Sequence, residues 1–262
     1  WFTEDFTLAE LKTLRARERL PGLRPANTRY DGRFEVPTFD EVLELAEVES
    51  RRRGQLVGVY PETKYPTYFD SIGLSLQEPL AQALDRHDLN RPNALVFVQS
   101  FETGNLRELD RLVRVPLVQL VARSGAPYDL RVAGDPRSYD DLVTRAGLRE
   151  ISTYADAIGP DKSRVIGRGP AGHLAGATSL VDEAHRAELA VHAYTFRAEN
   201  EFLPTDRQVG DTSYGLGDAV GEYRAFFDAG VDGVFSDFPG NAVTARDDWL
   251  ARRSADRETA LR

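Results

Sequence analysis

From residue 55 onward the chain alternates short apolar runs with amphipathic helical patterns, and this rhythm limits its fold more than any other feature. The runs are "QLVGVYPETK" (55–64), "ALVFVQSFE" (94–102), "PLVQLVA" (116–122), "DAIGP" (156–160), "LAVHAYTFR" (189–197) and "DGVFSDFP" (232–239). Between them lie helical stretches such as "LSLQEPLAQALDRHDL", "TGNLRELDRLV" and "GDAVGEYRAFFDAG". Strands that are apolar along their whole length belong to a parallel sheet covered by helices. A repeating βα chain folds either as an open doubly wound sheet or as a (β/α)8 barrel.

Two observations favour the barrel. Polar residues gather at the C-terminal ends of the runs: Glu62 and Lys64, Gln99 and Ser100, Gln119, Asp161, Tyr194 to Arg197, and Asp237. That is the end at which barrel enzymes build their sites. No Gly-rich phosphate-binding fingerprint follows any run, which weakens a dinucleotide-binding fold. The predicted class is therefore α/β, a (β/α)8 TIM barrel in a single domain over 1–262. Only six strands are found where closure needs eight. The chain opens on Trp1 and contains no Met, so it is expected to be a processed or excised piece, with the first two βα units upstream. Two long loops, "DKSRVIGRGPAGHLAGA" and "AENEFLPTDRQVGDTSYGLGD", follow the fourth and fifth runs and are expected to cover the substrate.

Before the alternation, "DFTLAELKTLRA" places Leu8, Leu11 and Leu14 at helical spacing behind Thr7. "RERLPGLRPANTRYDGRFEV" reads as a solvated, locally basic loop. "PTFDEVLELAEVESRRRG" is a second helix, capped by Thr38 with Glu41 three residues on and stopped at Gly54.

A net charge of −9 argues against nucleic acid as a partner. With no Cys, disulfide and thiolate chemistry are unavailable. No apolar run approaches the roughly 18 residues that span a bilayer, so stable membrane insertion is not expected.

Period-two alternation puts Gly58, Tyr60, Glu62 and Lys64 on one face of the first run. Glu62 and Lys64 can pair with each other at the strand end. Alternatively, Glu62 ligates a hard divalent cation while Lys64 offsets a phosphate. One carboxylate is not a metal site, and Asp161 and Asp237 are candidate partners by position only. Asp237 can equally cap the next helix. Of the four histidines, His192 reads as a satisfied core residue, His87 and His185 as surface, and His173 as part of a rim loop. General acid–base chemistry is undersupplied. Tyr60, Phe101, Tyr194 and Phe235 read first as core residues, though their position also suits an apolar wall beside an organic leaving group.

Taken in order, "DFTLAELKTL", "FEVPTFDEVLELA", "GVYPETK", "VFVQSFE", "LVQLVA", "YADAIGPDK", "VHAYTFRAEN" and "YRAFFDAGVDGVFSDFP" resemble the glycerophosphodiester phosphodiesterases, above all the longer periplasmic or secreted bacterial ones. The resemblance covers nearly the whole chain. It implies a (β/α)8 barrel that hydrolyses glycerophosphodiesters, such as glycerophosphocholine, to an alcohol and glycerol 3-phosphate with a divalent cation, Ca2+ or Mg2+. By the same resemblance Glu62 is a metal carboxylate and Lys64 the lysine that helps neutralise the phosphate. Gln99, Phe101, Gln119 and Tyr194 match pocket-lining positions. No "HRG" strand with a "PENT"-like turn, and no strand bearing a Glu-x-Asp pair, precedes these motifs here. The resemblance therefore implies that the catalytic histidines, the phosphate-binding arginine and two metal carboxylates lie before Trp1, with 1–38 an insertion after the second strand. The 262 residues alone are expected to be inactive, and the parent is expected to be periplasmic or extracellular. The competing readings are a phospholipase C- or D-like phosphodiesterase on a related barrel and a non-catalytic binding protein.

Overall fold

The computed structural model describes residues 1–260. Its strands are β1 (Glu62–Thr63), β2 (Val98–Ser100), β3 (Leu117–Val121), β4 (Ala157–Pro160), β5 (Ile166–Arg168), β6 (Leu174–Ala177), β7 (Ala190–Phe196) and β8 (Gly233–Ser236). Six of them form one parallel sheet in the order β1-β2-β3-β4-β7-β8, while β5 and β6 pair antiparallel as a separate hairpin. Helices cover the outside, among them Gln77–Arg86, Thr103–Leu112, Arg145–Ile151, Leu180–Arg186, Ala219–Asp228 and Pro239–Ala260. The class is α/β of the (β/α)8 TIM-barrel type. Closure takes eight strands, so among the described residues the curl stays open between β1 and β8.

The dominant core lies between sheet and helices. Val98, Val121, Ile158 and Val191 of the strands share it with Leu106, Leu109, Leu148, Ile151, Val181 and Phe226 of the helices. β2, β3 and β4 are buried on both faces, which is why they read as continuous apolar runs, whereas β7 buries alternate residues. Inside the curl an aromatic plug fills the space. Tyr60 stacks on Phe97 at 5.1 Å and meets Phe235 of β8 edge-on at 4.8 Å. Its hydroxyl shares a 2.8 Å hydrogen bond with His192 Nδ1. Gly233 makes room for that imidazole, because a Cβ there would come within 2.7 Å of the ring.

The structure differs from the sequence expectation at three places. The run 55–64 contracts to the two residues of β1, preceded by a single bridge between Val59 and Val96. It sits at the open edge, pairs on one side only, and contains Pro61, which has no N–H to donate. The helix expected around Leu8, Leu11 and Leu14 lasts one turn, Leu8–Leu11. Leu8 and Leu14 remain exposed, so the periodic pattern meets no core that would extend it. The loop after β4 contains the β5–β6 hairpin, hidden in the sequence by a Gly-rich composition poor in strand formers. In contrast, the helix Phe39–Arg53 begins and ends as expected. Thr38 and Glu41 form a capping box, and Gly54 stops the helix at φ 62°.

Candidate active site

The C-terminal ends of the strands form a mouth, and the predicted residues occupy it unevenly. Glu62 lies in β1 and Lys64 just beyond it, their side chains joined at 2.9 Å. Between them Thr63 points the other way, is buried, and donates to Asn105 Oδ1 at 2.6 Å. That bond and the pairing of Glu62 with Gln99 and Thr63 with Ser100 fix the strand's register. Glu62 and Lys64 are thereby turned to the open side of the mouth. Lys64 is 72% exposed and Glu62 20%, so the ion pair is accessible and adds little stability of its own.

Phe101 follows β2 and stands between Tyr139 and Tyr194, at centroid distances of 6.2 and 6.0 Å. Tyr194 donates to the Val121 carbonyl at 3.2 Å, and burial pushes its phenol well above the ordinary tyrosine value. Gln99 is buried with its amide 3.4 Å from the Tyr60 carbonyl. Gln119 does not reach the mouth. It is fully buried, accepts from Tyr154 at 2.9 Å, and spends its amide on the Ser100, Phe101 and Leu120 carbonyls. Strand alternation turns it toward the covering helices, so a pocket-lining role is corrected to a structural one.

Asp161 caps the short turn after β4, accepting from the Ser163 amide and hydroxyl at 2.9 and 2.6 Å. Asp237 neither caps a helix nor joins Glu62. Arg24 and Arg197 hold it at 2.7 and 2.9 Å. Burial alone would raise its pKa, but the two guanidinium groups outweigh it and keep the carboxyl below its ordinary value. Among the described residues no group of three His, Cys, Asp or Glu side chains could hold a metal. Glu62 by itself therefore does not fit a complete cation site. Three of the four histidines do not serve the mouth either. His192 is part of the interior plug, and His87 and His185 pair with Asp40 and Asp232. His87 is less exposed than its helix-terminal position suggested.

Several residues at the mouth escaped sequence reasoning. Arg24, expected in a solvated loop, bridges Asp237 and Glu199, the latter at 2.6 Å and only 1% exposed. The hydrogen bond to Glu199 is the main cause of its raised pKa. Lys162 and Glu222 form a buried ion pair at 2.6 Å in a cleft that Arg197 also lines. Burial pushes the glutamate up and the lysine down, each opposed by the charge of the other.

A cleft of about 350 Å³ opens beside Glu62 and Lys64. Its walls include Tyr65, Phe101, Tyr128 and Tyr139, with Glu102 and Arg131 also lining it. Tyr65 adopts a left-handed backbone at φ 52°, a conformation that costs a bulky residue about 1–3 kcal/mol. Its carbonyl starts the helix Pro66–Ser71 by accepting from Tyr68 and Phe69. Glu102 is 2% exposed; Oε2 accepts from the Thr67 amide at 3.1 Å, whereas Oε1 has no partner. Burial raises its pKa, against the hydrogen bonds from Thr67 and with help from the nearby Asp129.

The sequence model of the glycerophosphoryl diester phosphodiesterase family matches residues 2–241. A glycerophosphodiester phosphodiesterase of Arabidopsis thaliana, GDPD6, is 30% identical over 259 residues, covering 92% of this chain and 63% of the plant protein. One from Haemophilus influenzae is 24% identical over 260 residues, covering 88% of this chain and 70% of its own length. The chain thus spans less than two thirds of the plant relative. A solved structure from Agrobacterium tumefaciens str. C58, named for the same family, superposes with a TM-score of 0.53 at 19% identity. It covers 93% of this chain and 72% of its own, and it bears on the fold alone. The match to the family runs through every strand of the curled sheet, and the chain belongs to the glycerophosphoryl diester phosphodiesterase family.

Proposed function

We propose that the intact protein hydrolyses glycerophosphodiesters, glycerophosphocholine among them, to an alcohol and glycerol 3-phosphate. The observation that carries this reading is the accessible Glu62–Lys64 pair at the mouth of a barrel whose sequence matches the family over residues 2–241. In-line attack of water on phosphorus builds negative charge on the phosphoryl oxygens. Lys64, held at the rim by Glu62, stabilises that charge where it develops. Glu62 is the carboxylate we assign to a hard cation, Ca2+ or Mg2+, whose chemistry when bound is Lewis-acid polarisation of the phosphoryl group. The residues described here do not complete such a site, and no step is derived through it. We place the general acid and base outside these 262 residues, because none of their four histidines lines the Glu62 cleft.

The test is release of glycerol 3-phosphate from glycerophosphocholine and related diesters by the full-length natural protein; no release from any of them overturns the reading. The 262 residues alone should neither turn over these substrates nor bind Ca2+ tightly. Turnover by this stretch alone would sink the division of labour. In the full-length protein Glu62→Gln should weaken Ca2+ binding in calorimetry, and an unchanged affinity would remove Glu62 from the ligand set.

A further inference from the structure

The segment from Lys12 to Val36 departs from the rest of the chain in its charge and in where it keeps its apolar side chains. The whole chain carries a net charge of −9, yet residues 12 to 33 hold seven basic side chains against two acidic ones. Lys12, Arg15, Arg17 and Arg24 pair with carboxylates. Arg19, Arg29 and Arg33 are exposed and have no carboxylate partner among the described residues. Apolar side chains stand among these arginines and face solvent: Phe34 is 59% exposed, Leu14 and Val36 42% each, and Tyr30 40%. The rings of Tyr30 and Phe34 lie 6.1 Å apart. The guanidinium groups of Arg29 and Arg33 sit 4.7 and 6.0 Å from the centre of the Tyr30 ring.

Backbone hydrogen bonds give this segment a definite shape. The Gly32 amide donates to the Ala16 carbonyl at 3.0 Å, and the Ala16 amide to the Phe34 carbonyl at 2.8 Å. The Glu18 amide donates to Asp31 at 2.7 Å. The loop is thereby closed on itself, while no residue from 1 to 38 is buried. Tyr30 and Phe34 are held out where no core receives them. Arg24, in the same loop, is tied to Asp237 at 2.7 Å, so the loop stands beside the C-terminal end of β8.

Exposed apolar groups kept in ordered structure mark an interaction surface. Arginines set among aromatic and aliphatic side chains match the boundary of a bilayer, where rings rest at headgroup level and cations meet lipid phosphates. A nucleic acid fits less well. Leu14 and Val36 offer no ring to stack on a base, and an extended polyanion would run onto the acidic remainder of the chain. A bilayer meets only the face presented to it.

We propose that the loop of residues 12–36 docks this protein on the surface of an anionic phospholipid bilayer, with Tyr30 and Phe34 at headgroup level and Arg29 and Arg33 on lipid phosphates. Docking of this kind needs no segment that crosses the bilayer. The inference goes beyond the diesterase reading and does not depend on it, because it is read by binding alone.

The experiment sediments the full-length protein with vesicles of phosphatidylcholine alone, or of phosphatidylcholine and phosphatidylglycerol in equal parts. Binding should be strong on the anionic vesicles, weak on the neutral ones, and should fall as salt is added. Arg29→Gln/Arg33→Gln and Tyr30→Ser/Phe34→Ser should each lower the partition coefficient roughly tenfold. All four side chains are exposed, so both variants should keep the urea midpoint of the natural sequence. No binding to anionic vesicles, equal binding to the two compositions, or a partition unchanged in either double variant overturns the proposal. Self-association that Tyr30→Ser/Phe34→Ser abolishes, found without vesicle binding, overturns it in favour of a second copy of this chain.

Discussion

At the scale of single residues, Arg24 and His192 carry opposite kinds of charge problem. Arg24 satisfies Glu199, which would otherwise be a buried carboxylate without a counter-ion. Removing one partner of such a pair costs more than the pair contributes, because the remaining charge stays buried. Arg24→Met should therefore destabilise the protein by about 3 kcal/mol, read from urea unfolding, and adding Glu199→Gln should recover part of the loss. A cost within error of zero would mean that Glu199 finds another partner. His192 is held neutral. Burial lowers its pKa below the ordinary histidine value, against the charge of Asp232. Below the unfolded-state pKa the unfolded chain takes up a proton that the folded one refuses, so stability falls as pH drops through about 6.5. Thermal melts between pH 7.5 and 5.5 should show this decline, and His192→Phe should flatten it. If the variant declines just as steeply, another group is responsible.

At the scale of elements, the helix Phe39–Arg53 shows how local chemistry becomes architecture. Thr38 and Glu41 exchange hydrogen bonds that satisfy otherwise orphaned donors. Thr38→Ala should cost about 1 kcal/mol, measurable as a shift of the urea midpoint at constant slope; a neutral effect would show that Glu41 suffices. This cap was legible in the sequence because all its parts lie within four residues. Strands β2, β3 and β4 were legible too, since burial on both faces writes them as apolar runs. The β5–β6 hairpin was not, because its stability comes from where it lies rather than from strand-forming residues. Gln119 misled for a related reason: a polar residue in a strand signals a special environment, but not on which face. The aromatic cleft was only partly visible, since Tyr65, Phe101, Tyr128 and Tyr139 sit in four separate stretches that only the fold gathers.

At the scale of the whole molecule, the curled sheet keeps two exposed edges, and apolar groups line the β1 side. Leu56 is 71% exposed, with Leu45, Val48, Val57 and Leu95 also open to solvent. Unpaired strand edges beside apolar surface promote association. The 262 residues prepared alone should therefore self-associate as concentration rises, seen by light scattering on a sizing column. A monomer at all concentrations would show that the aromatic contact between Tyr60 and Phe235 suffices to shield the opening. None of the helices is long and apolar enough to cross a membrane among the described residues.

The clamp at Arg24 also has a consequence in time. Its two partners lie 175 and 213 residues further along the chain. Contacts of such separation carry a large closure cost and are made after local ones. As the polypeptide leaves the ribosome, the helices and the first strands can settle while Arg24 still has nothing to hold. Only once Asp237 has emerged can the rim be drawn together. The rim around Arg24 is thus among the last parts to take shape, and a chain halted before Asp237 would lack one partner of that clamp.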